Sequence, residues 1–211
     1  NTQAIEIFQK LRQLCPAPFA GIVIGAGKAK NEAVISASPE RFLKVLPNGE
    51  VESRPIKGTR PRHPDPQKDA DLAADLICST KDRAENIMIV DLIRNDLGRV
   101  CRPGSISVPQ LVGLESYPQV HHLTSVVKGF LEPNKTWVDL LEASWPGGSI
   151  SGAPKLRACQ RLYELEPVAR GPYCGSLIHL DWNGTFDSNI LIRSLILEGR
   201  TLRAHAGCGI V

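Results

Sequence analysis

Arg54-Pro55-Ile56-Lys57-Gly58-Thr59 puts an ammonium group where the neighbouring pattern asks for an apolar strand. Pro55 fixes its own φ, and Gly58 removes a side chain so that something can approach the main chain closely. In an extended segment Lys57 and Thr59 share one face, opposite Arg54 and Arg60. Burial drives a lysine toward its neutral amine, and neighbouring arginine charges push the same way. A neutral amine is a nucleophile or a base, whereas an ammonium is neither. The same stretch also suits a lysine that covers apolar surface with its stem and keeps its head in water.

Working outward, Ser38-Pro39-Glu40-Arg41-Phe42-Leu43-Lys44-Val45 and a Pro47-Asn48-Gly49 turn lead into a strand that reaches Lys57. Glu40 and Lys57 are therefore expected on strands joined by a tight turn, facing one another across a sheet. Upstream, residues 2–14 carry Ile5, Ile7, Phe8, Leu11 and Leu14 at helical spacing, stopped by Cys15-Pro16-Ala17-Pro18. Phe19 to Ile24 and Ala33 to Ser36 read as a hairpin around a Gly25 to Asn31 turn.

Downstream, the prolines in 60–67 predict a loop. Helix follows over about 68–78 and 79–97, with Ser79 and Asp82 at capping-box spacing and Gly98 as the stop. Strands are expected over 105–112 and 119–130, a helix over 137–144, and a second helix from a small-residue loop at 146–155 to Glu166, with Pro154 at its first position. Three strands close the chain, at 175–182, 188–197 after an Asn183-Gly184 turn, and 201–211. Strands cluster between helices without strict alternation, which predicts an α+β fold with large antiparallel sheets.

The 211 residues are 42% hydrophobic and 22% charged, ordinary for a globular protein and enough for a substantial core. The net charge of +3 is spread over scattered residues and gives no footing for nucleic acid. Six cysteines, at 15, 78, 101, 159, 174 and 208, show no metal-ligand or redox spacing, so reduced thiols in a cytoplasmic protein are expected. No apolar run reaches the roughly 18 residues that span a bilayer. Residue 1 enters an amphipathic pattern at once and Val211 ends inside an apolar run, so the chain reads as one domain over 1–211, cut at both ends.

Several polar residues stand where an apolar pattern leaves them in need of partners. Asp82 and Glu85, three apart on a helix, present two hard oxygen ligands of the kind that suit Mg²⁺; equally, Asp82 can cap while Glu85 pairs with Lys81 or Arg83. Arg193 lies in Ile190-Leu191-Ile192-Arg193-Ser194-Leu195-Ile196-Leu197 and needs an anion, from a ligand carboxylate or from a neighbour such as Asp187. The Gly147 to Lys155 loop directs backbone N–H groups forward but lacks Walker A spacing. His205-Ala206-Gly207-Cys208-Gly209 allows close approach to the main chain. His121 and His122 face opposite ways on one strand, so one of them is structural. These groups together describe a pocket for a small dianion.

Ser38-Pro39-Glu40-Arg41-Phe42, Pro55-Ile56-Lys57-Gly58-Thr59, Lys81-Asp82-Arg83-Ala84-Glu85-Asn86, Val90-Asp91-Leu92-Ile93-Arg94-Asn95-Asp96, Gly147-Gly148-Ser149-Ile150-Ser151-Gly152-Ala153-Pro154-Lys155 and Ile192-Arg193 closely resemble the chorismate-utilising enzymes, in family order over essentially the whole chain. The resemblance implies the chorismate-binding fold of anthranilate synthase component I, with antiparallel sheets face to face and helices outside. At position 57 anthranilate synthase usually carries Ala, and lysine marks the branch that aminates chorismate for the folate and para-aminobenzoate route, aminodeoxychorismate synthase component I.

By that resemblance Lys57 attacks C2 of chorismate, Glu40 is the general acid for the departing 4-hydroxyl, and ammonia enters at C4. It also makes Glu85 an Mg²⁺ ligand, with Asp82 beside it. Arg193 holds a substrate carboxylate, aided by Ser149 and the Gly207 region, with His122 and Thr59 in the pocket. It further implies ammonia from a glutamine amidotransferase subunit, additional metal-binding glutamates beyond position 211, and a segment before Asn1. Anthranilate synthase, isochorismate synthase and a non-catalytic scaffold for the glutaminase are the alternatives. Ile178-His179 departs from the Gly-Tyr common in the family.

Overall fold

The computed structural model describes residues 2–29 and 31–209. In chain order the elements are α1 (Thr2–Leu14), β1 (Phe19–Ile24), a short 3₁₀ turn (Gly27–Ala29), β2 (Glu32–Ser38), β3 (Arg41–Val45), β4 (Glu50–Arg54), β5 (Ile56–Pro61), α2 (Pro66–Cys78), α3 (Thr80–Gly98), β6 (Ser107–Ser116), β7 (Val120–Phe130), α4 (Trp137–Ser144), α5 (Gly148–Ser151), α6 (Lys155–Leu165), β8 (Ile178–Leu180), β9 (Phe186–Asn189), β10 (Ser194–Glu198) and β11 (Thr201–Ala204). The chain forms two compact units, one of Asn1–Phe42, Pro167–His179 and Asp187–Val211, the other of Leu43–Glu166 and Leu180–Phe186. Helices and antiparallel sheets make this the α+β architecture that the clustered strands predict.

In the first unit β1, β2, β10 and β11 are neighbours in that order, all antiparallel. The β1–β2 hairpin runs from Phe19 opposite Ser38 to Ile24 opposite Ala33, as the two apolar runs predict. Helix α1 lies against β2 through Ala4, Ile7, Phe8 and Leu11, the i, i+3, i+4, i+7 stripe, packed on Ala33, Ile35 and Leu197. Ile5 and Leu14 fall outside that stripe and are exposed. The expected 188–197 strand is two strands, because Arg193 adopts φ +50 and breaks the extended run between β9 and β10.

The second unit is built on β7, which is buried along nearly its whole length. One edge of β7 carries β6, from Ser107 opposite Lys128 to Ser116 opposite His121. The other edge carries β4 and β5 end to end: Glu50 to Ser53 pair with Phe130 to Val127, Ser125 N donates to the Pro55 carbonyl, and pairing resumes at Ile56 opposite Thr124. Pro55 has no N–H to offer at this joint, which is why a single run along β7 reads as two strands. A bulge between Ile56 and Thr59 places Lys57 and Gly58 together against one residue of β7 and interrupts the simple alternation expected from the sequence.

Helices α2 and α3 are separate, meeting at Ser79, whose hydroxyl accepts from Asp82 N at 3.3 Å. The cap is as predicted, but the Asp82 carboxylate goes elsewhere. Asn86, fully buried on α3, donates from Nδ2 to the Leu123 carbonyl and accepts through Oδ1 from Ser125 Oγ, which itself accepts from Val112 N. This side-chain chain ties α3 to β7 and β6, so every polar atom in it has a partner. Among the described residues no helix is long and apolar enough to cross a membrane, and all six cysteines are free thiols.

Gly58 has φ +86, and a Cβ there would stand 2.9 Å from Asp82 Cβ and 3.0 Å from Leu76 Cδ1. Gly49, at φ +81, has nothing within 4 Å of that position. Gly49→Ala should therefore cost only the left-handed strain, about 1 kcal/mol. Gly58→Ala should cost more, about 2–3 kcal/mol, because strain and overlap add. Urea unfolding of the two variants measures the difference; equal losses would contradict the close packing at Gly58.

Candidate active site

Bulging at Gly58 brings the β5 main chain against the first turn of α3 and leaves Lys57 half-buried at the sheet edge. Lys57 Nζ donates to the Ser149 carbonyl at 3.0 Å. Ser149 lies in α5, a single turn. The N–H groups of Ile150 and Ser151 bond the Gly147 carbonyl at 3.3 and 3.2 Å, and that of Gly152 bonds the Gly148 carbonyl at 3.0 Å. The sequence predicted N–H groups free for an anion here. Those three donors are used within the turn, and its Ser149 carbonyl is the acceptor for Lys57. Pro154 stands at the N-cap of α6, one position earlier than expected.

The arginines flanking Lys57 are neutralised by carboxylates of their own. Arg54 pairs with Glu115 at 2.6 Å, and Arg60 with Asp75 at 2.7 Å and Asp82 at 3.3 Å. Their charges therefore do not bear on Lys57 as bare cations, as the sequence reading expected. Asp82 is held by Arg60. Glu85 is more loosely engaged, 3.9 Å from Lys81, with its side chain 19% exposed.

No group of three or more His, Cys, Asp and Glu able to hold a metal occurs among the described residues. Mg²⁺ usually takes one or two protein carboxylates and fills its shell with water and substrate oxygens. Glu85 fits that requirement and Asp82, tied into its ion pair, fits it less well.

The two histidines divide as expected. His121 Nε2 meets Asp69 at 3.1 Å and its Nδ1 meets Ser116 Oγ at 2.7 Å, joining α2 to the β6–β7 hairpin. His122, on the opposite face, has Nδ1 2.9 Å from Thr59 Oγ1 and stands edge-on to the Tyr117 ring at 5.8 Å. Tyr117 donates to Glu115 at 2.8 Å, and Glu115 also accepts from Arg54 and Gln110. Burial opposes ionisation of Glu115, but Tyr117, Gln110 and Arg54 together outweigh it and hold the carboxyl below its ordinary range. Sequence reasoning did not single out Glu115, since its cross-strand partner Arg54 is 61 residues away.

In the first unit Glu40, 7% exposed, closes a Ser38-based turn: its N–H donates to Ser38 Oγ and its carbonyl accepts from Ile190 N at 3.1 Å. Three residues on, the Arg193 carbonyl accepts from Ala37 N. The 37–40 and 190–193 segments therefore lie side by side and carry Glu40 and Arg193. The Arg193 side chain is exposed, 3.9 Å from Cys15 Sγ, and Asp187 pairs with Arg41 at 3.1 Å, so the Asp187 alternative fails. A Cβ on Gly207 would meet Tyr173 Oη at 3.1 Å. The structure thus joins Lys57 to Ser149, Thr59 to His122, and Gly58 to Asp82 in one unit.

Residues 1–211 match the family of chorismate binding enzymes. The chain belongs to that family. It is 47% identical over 206 residues to aminodeoxychorismate synthase component 1 of Salmonella typhimurium, covering 98% of this chain and 44% of that relative. It is 44% identical over 211 residues to the chloroplastic aminodeoxychorismate synthase of Arabidopsis thaliana, covering 100% and 23%. The chain therefore spans less than half of each.

Among solved structures it resembles anthranilate synthase component I from Streptococcus pneumoniae TIGR4, with TM-score 0.79 and 39% identity over 91% of this chain and 41% of that one. It also resembles the menaquinone-specific isochorismate synthase of Escherichia coli, with TM-score 0.76 and 26% identity over 86% and 41%. These likenesses support the expected fold.

Asp69 accepts from Arg62, from His63 N and from His121, and the Arg62 guanidinium above all holds its carboxyl well below the usual carboxylate range. A depressed folded value contributes stability above the unfolded pKa, near 4, that is lost as pH falls through the folded value. Asp69→Asn should therefore lower the unfolding free energy at pH 7, and the gap to the unmodified protein should begin to narrow below about pH 4 and go on shrinking as the pH falls further. Denaturant titrations across that range check it, and a gap independent of pH would contradict the assignment.

Proposed function

We propose that the protein containing this chain aminates chorismate at C4, giving 4-amino-4-deoxychorismate, with Lys57 as a covalent nucleophile. The observation that carries the reading is Lys57 itself, in Pro55-Ile56-Lys57-Gly58-Thr59, half-buried on a bulged strand with its amine on a main-chain carbonyl. The 47% identity to an aminodeoxychorismate synthase component 1 supports the same branch.

In this reading the Lys57 amine forms a bond to C2 of the ring while both conjugated ring double bonds shift, C1=C2 to C1=C6 and C5=C6 to C4=C5, and the C4–O bond breaks. The hydroxyl leaves as water with a proton from Glu40, and the amine gives up one of its own, so the adduct is protein plus chorismate minus water. Hydroxide is a poor leaving group unless protonated, and two displacements divide one difficult step. Ammonia then bonds at C4, both double bonds shift back, and the C2–N bond breaks to release Lys57, the incoming nitrogen losing the proton that the departing amine regains.

By the family resemblance Arg193 is assigned to one substrate carboxylate, with Ser149 and the Gly207 region contributing, and His122 and Thr59 are assigned to substrate contacts. Bound Mg²⁺ would supply positive charge to offset the other carboxylate. Glu85 is the residue that would hold it, with Asp82 on the same helical flank. The name component 1 of the relatives implies a second component. A glutamine amidotransferase supplying ammonia fits that place.

Chorismate, ammonia and Mg²⁺ given to the full-length protein should yield 4-amino-4-deoxychorismate by mass spectrometry; anthranilate or isochorismate as product would overturn the proposal. Intact-mass analysis should show the adduct on the unmodified protein and none on Lys57→Ala. Glu40→Gln should slow its formation by about 10²–10⁴-fold.

A further inference from the structure

Asp96 and Lys155 form a part-buried ion pair that the chemistry above does not use. Asp96, 4% exposed near the end of α3, accepts from Lys155 Nζ at 2.7 Å. The same Nζ donates to the Ser144 carbonyl at the end of α4, also at 2.7 Å, while Arg99 donates to the neighbouring Ala143 carbonyl at 3.2 Å. Two cations thus meet the negative end of α4, where terminal carbonyls lack helical partners. Lys155 begins α6, immediately after the segment that contains Ser149.

That segment has a second anchor. Gly148 is buried, and a Cβ on it would stand 2.6 Å from Leu92 Cδ2 on α3. Gly148 and Lys155 therefore fix the turn against one helix at two points, and Ser149, between them, presents the carbonyl that receives Lys57.

We infer that Asp96 and Lys155 are positioning residues for Lys57, acting through the 147–154 turn whose Ser149 carbonyl aims the amine. The inference rests on Lys57 as the nucleophile and adds the part of the fold that aims it. Burial pushes the Asp96 carboxyl above its usual range, and Lys155 works against that push.

The test uses the full-length protein, Lys155→Gln, and the double variant Asp96→Asn with Lys155→Gln. A glutamine amide ends one bond short of the lysine Nζ, so it cannot bridge Asp96 and Ser144 together. The double variant leaves no buried charge unpaired and keeps the measurement possible should Lys155→Gln alone not fold. Acetylation of Lys57 by acetic anhydride, quantified on its peptide without chorismate, should rise severalfold in both variants because the amine is released from its acceptor. Adduct formation with chorismate should fall by about tenfold or more because the amine is no longer aimed.

A purely structural ion pair would leave Lys57 labelling in the folded double variant unchanged. Labelling and adduct formation both at wild-type rates in that variant would overturn the inference. If the unmodified protein forms no adduct, the nucleophile reading fails by itself, and the labelling experiment still decides whether the pair positions Lys57.

Discussion

A lysine ammonium drawn partly out of water must place its hydrogens on acceptors, and that requirement shapes the second unit of this chain. Lys57 can sit where it does because Pro55 interrupts the ladder beside β7 and the bulge at Gly58 turns the strand against α3. Its acceptor is a main-chain carbonyl 92 residues later in sequence. That carbonyl belongs to a one-turn helix whose Ile150, Ser151 and Gly152 N–H groups bond the Gly147 and Gly148 carbonyls. Gly148 allows that turn to seat closely against α3, where a Cβ would stand 2.6 Å from Leu92 Cδ2.

Strand β7 is what lets such a site be built on a small scaffold. Buried on both faces, it carries adjacent histidines into different surroundings: His121 toward Asp69 and Ser116, His122 toward Thr59 and Tyr117. One face is spent on holding α2 and, through the Asn86 and Ser125 hydrogen bonds, α3. The other is left to hold a histidine whose orientation is set by a threonine and by an aromatic ring that Glu115 in turn fixes. A one-residue shift in the register of β7 would exchange the two histidines, so the hydrogen bonds of β4, β5 and β6 determine which one faces Thr59.

Much of this was legible in the sequence because the signals were local. The α4 boundaries, the β1–β2 hairpin, the Ser79 cap and the stop at Gly98 each follow from residues within one or two turns of each other. What was not legible depended on distant partners. Nothing near Arg54 indicates Glu115, and nothing near Asp82 indicates that Arg60 will claim it across the β5–α3 contact. The run from Ile190 to Leu197 reads as one apolar strand, and only the positive φ at Arg193 divides it. The order of pairing also escapes local reading, because β4 and β5 reveal themselves as one interrupted run only when β7 is seen alongside both.

The charges around position 57 have a chemical consequence. Arg54 and Arg60 are matched to carboxylates, whereas Lys57 is matched to a neutral carbonyl. An ion pair with a carboxylate would be strengthened by the lysine's charge and broken by its loss, leaving a half-buried anion without a partner. A carbonyl accepts a hydrogen from an ammonium and from an amine alike, so the hydrogen bond persists when the proton leaves and continues to orient the nitrogen. A nitrogen that keeps the same acceptor in both protonation states keeps its direction in both.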